Sequence, residues 1–226
     1  MCGRFQLSVK GKHISERFNV EVFDEMYKPS FNSAPGQNLP IITNTESEKL
    51  SLFKWGLVPF WAKDPKIGNK LINTRAETIM EKPSFKAAFT RRRCLIPANG
   101  FFEWKKGTQK IPYRIFLKNE ALFAMAGLWE TWKDADGNLL HTFSIITTEP
   151  NELMKPIHNR MPVILPQEAE NTWLHEENPK VLRALLQPFD TNKMEAYTIG
   201  NAINSPANNN SALINPSQTG TLSLDL

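Results

Sequence analysis

The sequence has little cysteine and no long hydrophobic run. Cys2 and Cys94 are its two cysteines, and neither lies in a CxxC motif or in a Cys/His cluster with metal-ligand spacing. They could form only one disulfide, and a structural zinc site is not expected. No segment approaches the roughly 18 apolar residues of a membrane span, and the first residues lack the regions of a signal peptide. We expect a soluble, cytoplasmic protein without a cofactor or a membrane partner.

A strong excess of charge is also missing. The net charge is +4 and the sequence pI is near 9.0, which permits nucleic-acid binding without requiring it. The basic residues do cluster along the chain. The clusters are Lys63, Lys66, Lys70 and Arg75; Arg91, Arg92 and Arg93; and Lys105 and Lys106. Each cluster fits a solvated basic face and a phosphate-binding patch about equally well.

The length and the frequent Pro and Gly residues predict many short elements in a chain that folds alone. Its 226 residues are 41% hydrophobic, enough for a sizeable core. Strands are predicted at residues 2–7, 50–58, 94–96, 101–104, 111–117, 122–132, 139–147, 161–165 and 196–199. Helical segments are predicted at residues 14–18, 76–80, 84–89 with Ser84 as N-cap, 152–155, 167–175 and 179–186.

The strand pattern predicts an α+β fold with a β-rich, barrel-like antiparallel core flanked by short helices. Residues 134–137, Asp-Ala-Asp-Gly, have the chemistry of a hairpin turn between two of the strands. Residues 1–200 are expected to form one domain. Residues 201–226 are rich in Asn, Ser and Pro and poor in aromatic residues, so we expect an irregular or disordered tail.

Cys2 is the first candidate for chemistry, because a cysteine after Met1 is small enough for the initiator methionine to be removed. Removal would leave an α-amine of pKa about 7.7–8.0 and a thiol of pKa about 8.5 on one residue, both with reactive fractions near neutral pH. Such an aminothiol condenses with an aldehyde to a five-membered thiazolidine. Cys2 also fits an ordinary buried cysteine, or the nucleophile of a class II glutamine amidotransferase, whose mature chain begins with Cys-Gly.

Two titratable residues are candidates for proton transfer. His158 lies in the segment Ile-His-Asn-Arg-Met-Pro after a predicted sheet, where it fits a structural histidine or a general acid or base. Glu103 lies among aromatic residues of a predicted strand, which can desolvate the carboxylate and raise its pKa. A position on the solvent face of the strand is the alternative. The other histidines are assigned no role.

Two further segments carry polar and aromatic candidates. Asn73 and Arg75 lie in a compact polar stretch, where Arg75 suits a phosphate and Asn73 suits a substrate oxygen or the N-terminal amine. A helix start with Asn73 as N-cap is the alternative. In the aromatic stretch at residues 55–61, we expect Trp55 in the core and Trp61 at a surface on which bases stack.

Several motifs in one order make the chain resemble the SOS-response-associated peptidase (SRAP) family of abasic-site processing proteins. They begin at Met1 (MCGRF), Asn32 (NSAP), Trp55 (WGLVP), Asn73 (NTRAET), Arg93 (RCLIPANGFFEW), Ala126 (AGLW) and His158 (HNRMP). The resemblance covers the chain from its start to about Leu165. It implies a single domain with a barrel-like β core and a basic cleft for single-stranded DNA.

The resemblance also implies site roles. Cys2 becomes the covalent nucleophile, Glu103 and His158 assist proton transfers, and Asn73 positions the reacting groups. Arg4, Arg75 and Arg160 match positions that hold DNA phosphates or line the site. Trp61 matches an aromatic wedge, while Phe60 stands where a second Trp is common.

The expected activity is covalent capture of abasic sites in single-stranded DNA by Cys2, which shields the lesion. We also expect that the protein releases its own Met1, that it is a monomer, and that it associates with the nucleoid when DNA is bound. An amidohydrolase that uses Cys2 on a small amide is the alternative, and so is a DNA-binding module in which Cys2 is incidental.

Overall fold

Short strands dominate the chain. The computed structural model describes residues 2–23, 25–119 and 121–221. The strands within these ranges are β1 (Phe5–Leu7), β2 (Ser30–Ser33), β3 (Asn38–Thr43), β4 (Glu46–Trp55), β5 (Asn73–Arg75), β6 (Arg93–Ala98), β7 (Gly100–Lys105), β8 (Ile111–Leu117), β9 (Phe123–Lys133), β10 (Leu139–Thr148), β11 (Met161–Pro162), β12 (Ile164–Leu165), β13 (Met194–Ile199) and β14 (Pro216–Thr221).

The helices are few and short. The α-helices of the described residues are α1 (Gly11–Phe18), α2 (Pro83–Arg91), α3 (Gln167–His175) and α4 (Pro179–Ala184), and 3-10 helices span Pro65–Lys70, Ala76–Thr78, Thr191–Lys193, Asn201–Asn204 and Ser211–Ile214. The Ser84 N-cap prediction is wrong. Helix α2 begins at Pro83, whose fixed φ suits the first helical position, and Lys82 precedes it without a side-chain cap. No helix of the described part is long and apolar enough to cross a membrane.

Five strands close a barrel. Strand β10 pairs with β9, β9 with β6, β6 with β3, β3 with β4, and β4 returns to β10. The predicted α+β class with a barrel-like core is therefore confirmed. The expectation of a wholly antiparallel core is wrong, because β4 and β5 both pair with β10 in parallel. These partners are far apart in sequence, so no tight hairpin fixes their direction.

A second, antiparallel sheet packs against the barrel, and aromatic side chains fill the space between them. Its strand order is β14-β13-β8-β7-β1-β2. Trp55 at the end of β4 is 1% exposed, which confirms its predicted place in the core. Its ring centroid lies 5.4 Å from that of Phe5 in the second sheet and 6.1 Å from that of Phe143 in the barrel. Trp55 therefore joins the two sheets.

Two predicted strands have different limits in the structure. The segment at residues 161–165 splits into β11, which pairs with β10, and β12, which pairs with β9. Because the segment is interrupted, it pairs with both β10 and β9, which are neighbours in the barrel. At the other end of the chain β1 begins at Phe5, so Cys2 precedes the strand that was expected to contain it.

Residues 201–215, which we name the C-terminal strap, pack against the second sheet. The strap is irregular apart from its two 3-10 helices, and β14 follows it as the edge strand. Ile203 and Leu213 of the strap are buried in a cluster with Phe102 of β7. Of the two predicted alternatives for this segment, an irregular or a disordered tail, the strap has the irregular form, and β14 was not predicted.

Candidate active site

Cys2 lies in the interior between the two sheets. Its side chain is fully buried, and Sγ donates a weak hydrogen bond to the carbonyl oxygen of Arg4 at 3.9 Å. Burial raises the pKa of the Cys2 thiol far above its ordinary range, and the Glu103 carboxylate raises it further. In the chain that carries Met1 the thiol is therefore protonated near neutral pH, and the thiolate fraction expected after removal of Met1 stays a prediction. A neighbouring base must take its proton.

Asn73 holds the backbone of Cys2. It is the first residue of β5, and its Nδ2 donates to the carbonyl oxygen of Cys2 at 2.8 Å. Pairing of β5 with β10 places Asn73 opposite Ile145, so the barrel fixes this contact. The N-cap alternative for Asn73 is wrong because the residue is in a strand. Its buried Oδ1 has no hydrogen-bond partner among the described residues, which leaves an acceptor beside Cys2.

Glu103 is a buried carboxylate in β7. It is 3% exposed and pairs with Tyr113 of β8, so the alternative of a solvent-facing glutamate is wrong. Burial raises the pKa of Glu103 to about 7. Both protonation states are therefore populated near neutral pH, as a group that donates and accepts protons requires.

His158 lies beside Glu103, in the loop between β10 and β11. Its backbone N–H donates to the carbonyl oxygen of Met154 at 2.8 Å, and its Nδ1 accepts from the backbone N–H of Arg160 at 3.1 Å. Nδ1 lies 4.0 Å from Oε1 of Glu103. Burial lowers the pKa of His158, so the imidazole is neutral near pH 7. Nδ1 also lies 3.3 Å from the carbonyl oxygen of Arg160, so the tautomer decides which ring nitrogen carries the proton.

Glu103 and His158 open onto a cleft of about 460 Å³. The cleft is also lined by Trp104, Lys106, Lys110 and Asn204. Of these four residues, the sequence singled out only Lys106, as a member of a basic cluster. No pattern in the Asn-rich segment around Asn204 indicated a site residue. The site combines a buried thiol, a carboxyl group that titrates near neutral pH and a neutral imidazole. This set is suited to covalent addition to a carbonyl group.

Comparison with known proteins places the chain in a family. The family model described as SOS response associated peptidase (SRAP) matches residues 1–206. The chain belongs to the SRAP family. It is similar to the abasic site processing protein YoqW of Bacillus subtilis (strain 168), at 52% identity over 95% of this chain and 99% of that protein. Abasic site processing protein HMCES of Mus musculus is 31% identical over 85% of this chain and 66% of that protein.

A solved structure shares the fold. The crystal structure of a protein from Bacteroides thetaiotaomicron superimposes with a TM-score of 0.88 at 36% identity, over 96% of this chain and all of that chain. The SRAP resemblance of the motifs is therefore confirmed, and it extends beyond Leu165 to the strap.

Two of the predicted phosphate-binding arginines in this SRAP protein differ in their surroundings. Arg75 is exposed at the end of β5. Arg160 instead donates two hydrogen bonds to the carboxylate of Glu77, at 2.7 and 2.9 Å, and another to the carbonyl oxygen of Thr147. Burial alone would raise the pKa of Glu77, but the hydrogen bond from Arg160 holds it below its ordinary value. Arg75 is therefore exposed and its phosphate contact stays a prediction, whereas Arg160 already has an anionic partner.

Arg4 ties the start of the SRAP domain to the strap. Its Nη1 donates to Oδ1 of Asn32 at 2.7 Å and to the carbonyl oxygen of Ile203 at 2.8 Å, and its Nη2 donates to the carbonyl oxygen of Asn204 at 3.1 Å. Nδ2 of Asn32 donates to the strap as well, to the carbonyl oxygens of Ser205 and Asn208. A contact of Arg4 with DNA remains a prediction.

Trp61 and Phe60 form an exposed aromatic pair, 49% and 61% exposed. Their loop is anchored at its far end, where Nε1 of Trp132 donates to the carbonyl oxygen of Ala62 at 2.7 Å. Phe60 thus offers a second ring where the family commonly has a Trp. Exposed rings on an anchored loop are suited to base stacking.

The basic cluster at residues 91–93 is largely structural. Arg93 is 2% exposed, so both the phosphate-patch and the solvated-face interpretations are wrong for it. Its guanidinium donates to carbonyl oxygens at the ends of α2 and α3, those of Phe89, Thr90, Trp173, Leu174 and Glu176. Arg92 forms an ion pair with Glu130 at 2.7 Å.

Proposed function

We propose that this protein captures abasic sites in single-stranded DNA through a covalent bond from Cys2, once Met1 has been removed. The observation that carries the proposal is the juxtaposition at Cys2. Asn73 holds its backbone, the charge of Glu103 acts on its thiol, and His158 lies 4.0 Å from Glu103. The names of relatives that match nearly the whole chain, abasic site processing proteins, support the choice of lesion.

The chemistry begins with the ring-opened abasic sugar, whose C1′ is an aldehyde. The α-amine of Cys2 adds to C1′ to give a carbinolamine, which loses water to form an imine. The Cys2 thiol then adds to the imine carbon and its proton ends on the nitrogen. One C–N bond and one C–S bond form, and one water leaves. The thiazolidine lacks the electron sink that drives β-elimination, so the DNA strand stays intact.

The roles of Glu103 and His158 follow from their protonation states. Glu103, with a pKa of about 7, protonates the departing carbinolamine hydroxyl and takes the proton of the buried Cys2 thiol. Neutral His158 supplies its ring proton when the thiazolidine opens. We infer that the same groups assist hydrolysis of the Met1–Cys2 peptide bond, which consumes one water and makes the protein a self-processing peptidase.

The surroundings favour DNA over a small amide. Exposed Arg75 and Lys106 and the exposed rings of Phe60 and Trp61 offer phosphate contacts and stacking surfaces. A glutaminase site would need none of them. The amidohydrolase alternative therefore predicts ammonia release from glutamine and no DNA adduct.

Intact-mass analysis tests the proposal. After incubation with an abasic single-stranded oligonucleotide, the expected product has the mass of the chain without Met1 plus the oligonucleotide minus one water. Cys2→Ala, or a form that retains Met1, should give no heat-stable adduct because either lacks half of the aminothiol. Cys94→Ala is the matched control, since Cys94 is equally buried but lies in β6. An undiminished adduct from Cys2→Ala would overturn the thiazolidine.

A further inference from the structure

One wall of the cleft is built from the turn between β7 and β8 together with the strap. Lys106 and Lys110 stand at the two ends of this turn, both exposed and both lining the cleft. Asn204 of the strap lines the same cleft. Three groups that hydrogen-bond to anions therefore converge next to Glu103 and His158, from segments about a hundred residues apart.

The side chain of Asn204 is oriented as a donor. Its Oδ1 accepts from Nε1 of Trp104 at 2.7 Å, and its backbone carbonyl accepts from Arg4 at 3.1 Å. The acceptor end of the amide is thus occupied, and Nδ2 has no hydrogen-bond partner among the described residues. An amide fixed in this way offers N–H groups to the cleft.

The electrostatics of this wall favour an anion. Glu103 is the one acidic residue among the described residues lining the cleft, and burial favours its neutral form. Lys106 is close enough to His158 for its charge to act on the imidazole. Burial is the main cause that lowers the pKa of His158, and the positive charge of Lys106 is a further one. A phosphate here would therefore meet two ammonium groups and one carboxyl group that is ionised only in part near neutral pH.

We propose that Lys106, Lys110 and Asn204 form a phosphate subsite for the nucleotide that adjoins the lesion on the side of the second sheet. The inference rests on the proposed function and deepens it. Arg75 is the last residue of β5, which pairs with β10 of the barrel, so in this proposal the DNA backbone is contacted from the barrel and from the second sheet. Lysines suit this task because a flexible ammonium binds phosphate without reading sequence.

Salt titration on undamaged single-stranded DNA tests the subsite without any crosslinking. Each lost phosphate contact lowers the slope of log affinity against log salt by about 0.7, so Lys106→Gln/Lys110→Gln should lower it by about 1.4. Between about 50 and about 200 mM salt, the wild type should then lose about sevenfold more affinity than the double variant.

The matched control is Lys118→Gln/Lys193→Gln. It removes the same charge at the opposite end of β8, where the backbone N–H of Lys118 donates to the carbonyl oxygen of Lys193 at 2.8 Å. The control should keep the wild-type slope. Equal slopes for both double variants would overturn the subsite, even if the wild type crosslinks to abasic DNA.

Trimmed substrates locate the subsite. One oligonucleotide carries the abasic site at its 5′ end and the other at its 3′ end, so each lacks the neighbour on one side. The Lys106→Gln/Lys110→Gln variant should crosslink more slowly than the wild type on one of them and equally fast on the other. Equal slowing on both, or on neither, would contradict a one-sided subsite. Failure of the wild type on every abasic substrate would instead refute the proposed function.

The strap component has its own pair of variants. Asn204→Asp places a negative charge in the subsite and should weaken binding of undamaged DNA by about tenfold, the equivalent of about 1.4 kcal/mol. Asn201→Asp makes the same charge change in the same 3-10 helix, at an exposed residue that does not line the cleft, and should bind like the wild type. Equal weakening by both would mean that only overall charge matters.

Discussion

Substitution of Glu103 by Gln keeps the shape of the side chain and removes its proton exchange. Because the pKa of Glu103 is about 7, the wild type holds comparable amounts of acid and base near neutral pH, whereas Gln supplies neither. Loss of one general acid–base group typically costs about 10²–10⁴-fold. We expect crosslinking to slow by that factor while affinity for undamaged DNA stays unchanged.

The same substitution should stabilise the fold at high pH. Glu103 has a pKa of about 7 in the fold and about 4.3 in an unfolded chain, so the folded state binds the proton more tightly. The free-energy cost of ionising Glu103 is absent below about pH 4 and complete above about pH 7, where it is on the order of 4 kcal/mol at about 1.36 kcal/mol per pKa unit. Glu103→Gln should therefore unfold at a higher temperature than the wild type at pH 8, with little difference at pH 4.

The assay combines single-turnover crosslinking across pH with thermal unfolding of the same samples. Glu130→Gln is the control, because Glu130 is a similarly buried glutamate but pairs with Arg92 in the barrel. It should crosslink at the wild-type rate and lose stability, since an arginine loses its partner. Wild-type crosslinking by Glu103→Gln at every pH would refute the role of Glu103 and leave it a residue of the strand.

Three further predictions follow from the site. Arg75→Ala should lower the salt slope on undamaged single-stranded DNA by about 0.7 with little dependence on sequence, and an unchanged slope in a salt titration would place Arg75 outside the DNA path. His158→Gln should crosslink within a few-fold of the wild-type rate but alter transfer of the protein between two abasic strands, which a labelled competitor strand measures. Asn73→Ala should slow crosslinking on the order of tenfold through loss of its hydrogen bond to Cys2, with unchanged affinity for undamaged DNA, and a gel time course would show it.

The sequence predicted best what local pattern controls. The aromatic content of β7 indicated a desolvated carboxylate as one of two interpretations of Glu103, and the turn at residues 134–137 predicted the β9–β10 hairpin that the structure contains. Motif order indicated the SRAP family before any geometry was known.

Contacts between residues far apart in the sequence were not predicted. The parallel pairing of β10 with β4 closes the barrel, but neither strand has a sequence pattern that identifies its partner. Arg93 was predicted to lie in a solvated or phosphate-binding basic cluster, because no local feature of the sequence shows that the ends of α2 and α3 converge on it. The strap was predicted to be a tail because its own composition gives no sign of packing. Hydrogen bonds from Arg4 and Asn32, far away in the sequence, hold it in place.

The strap's attachment to Arg4 has a consequence for the timing of synthesis. The carbonyl groups that accept from Arg4 belong to Ile203 and Asn204, about two hundred residues later in the chain. At about 5–20 residues per second, those residues leave the ribosome roughly 10 to 40 seconds after the first ones. Throughout that interval Arg4 lacks these two acceptors. The hydrogen bonds that join the start of the chain to the strap therefore form only after nearly the whole domain has been synthesised.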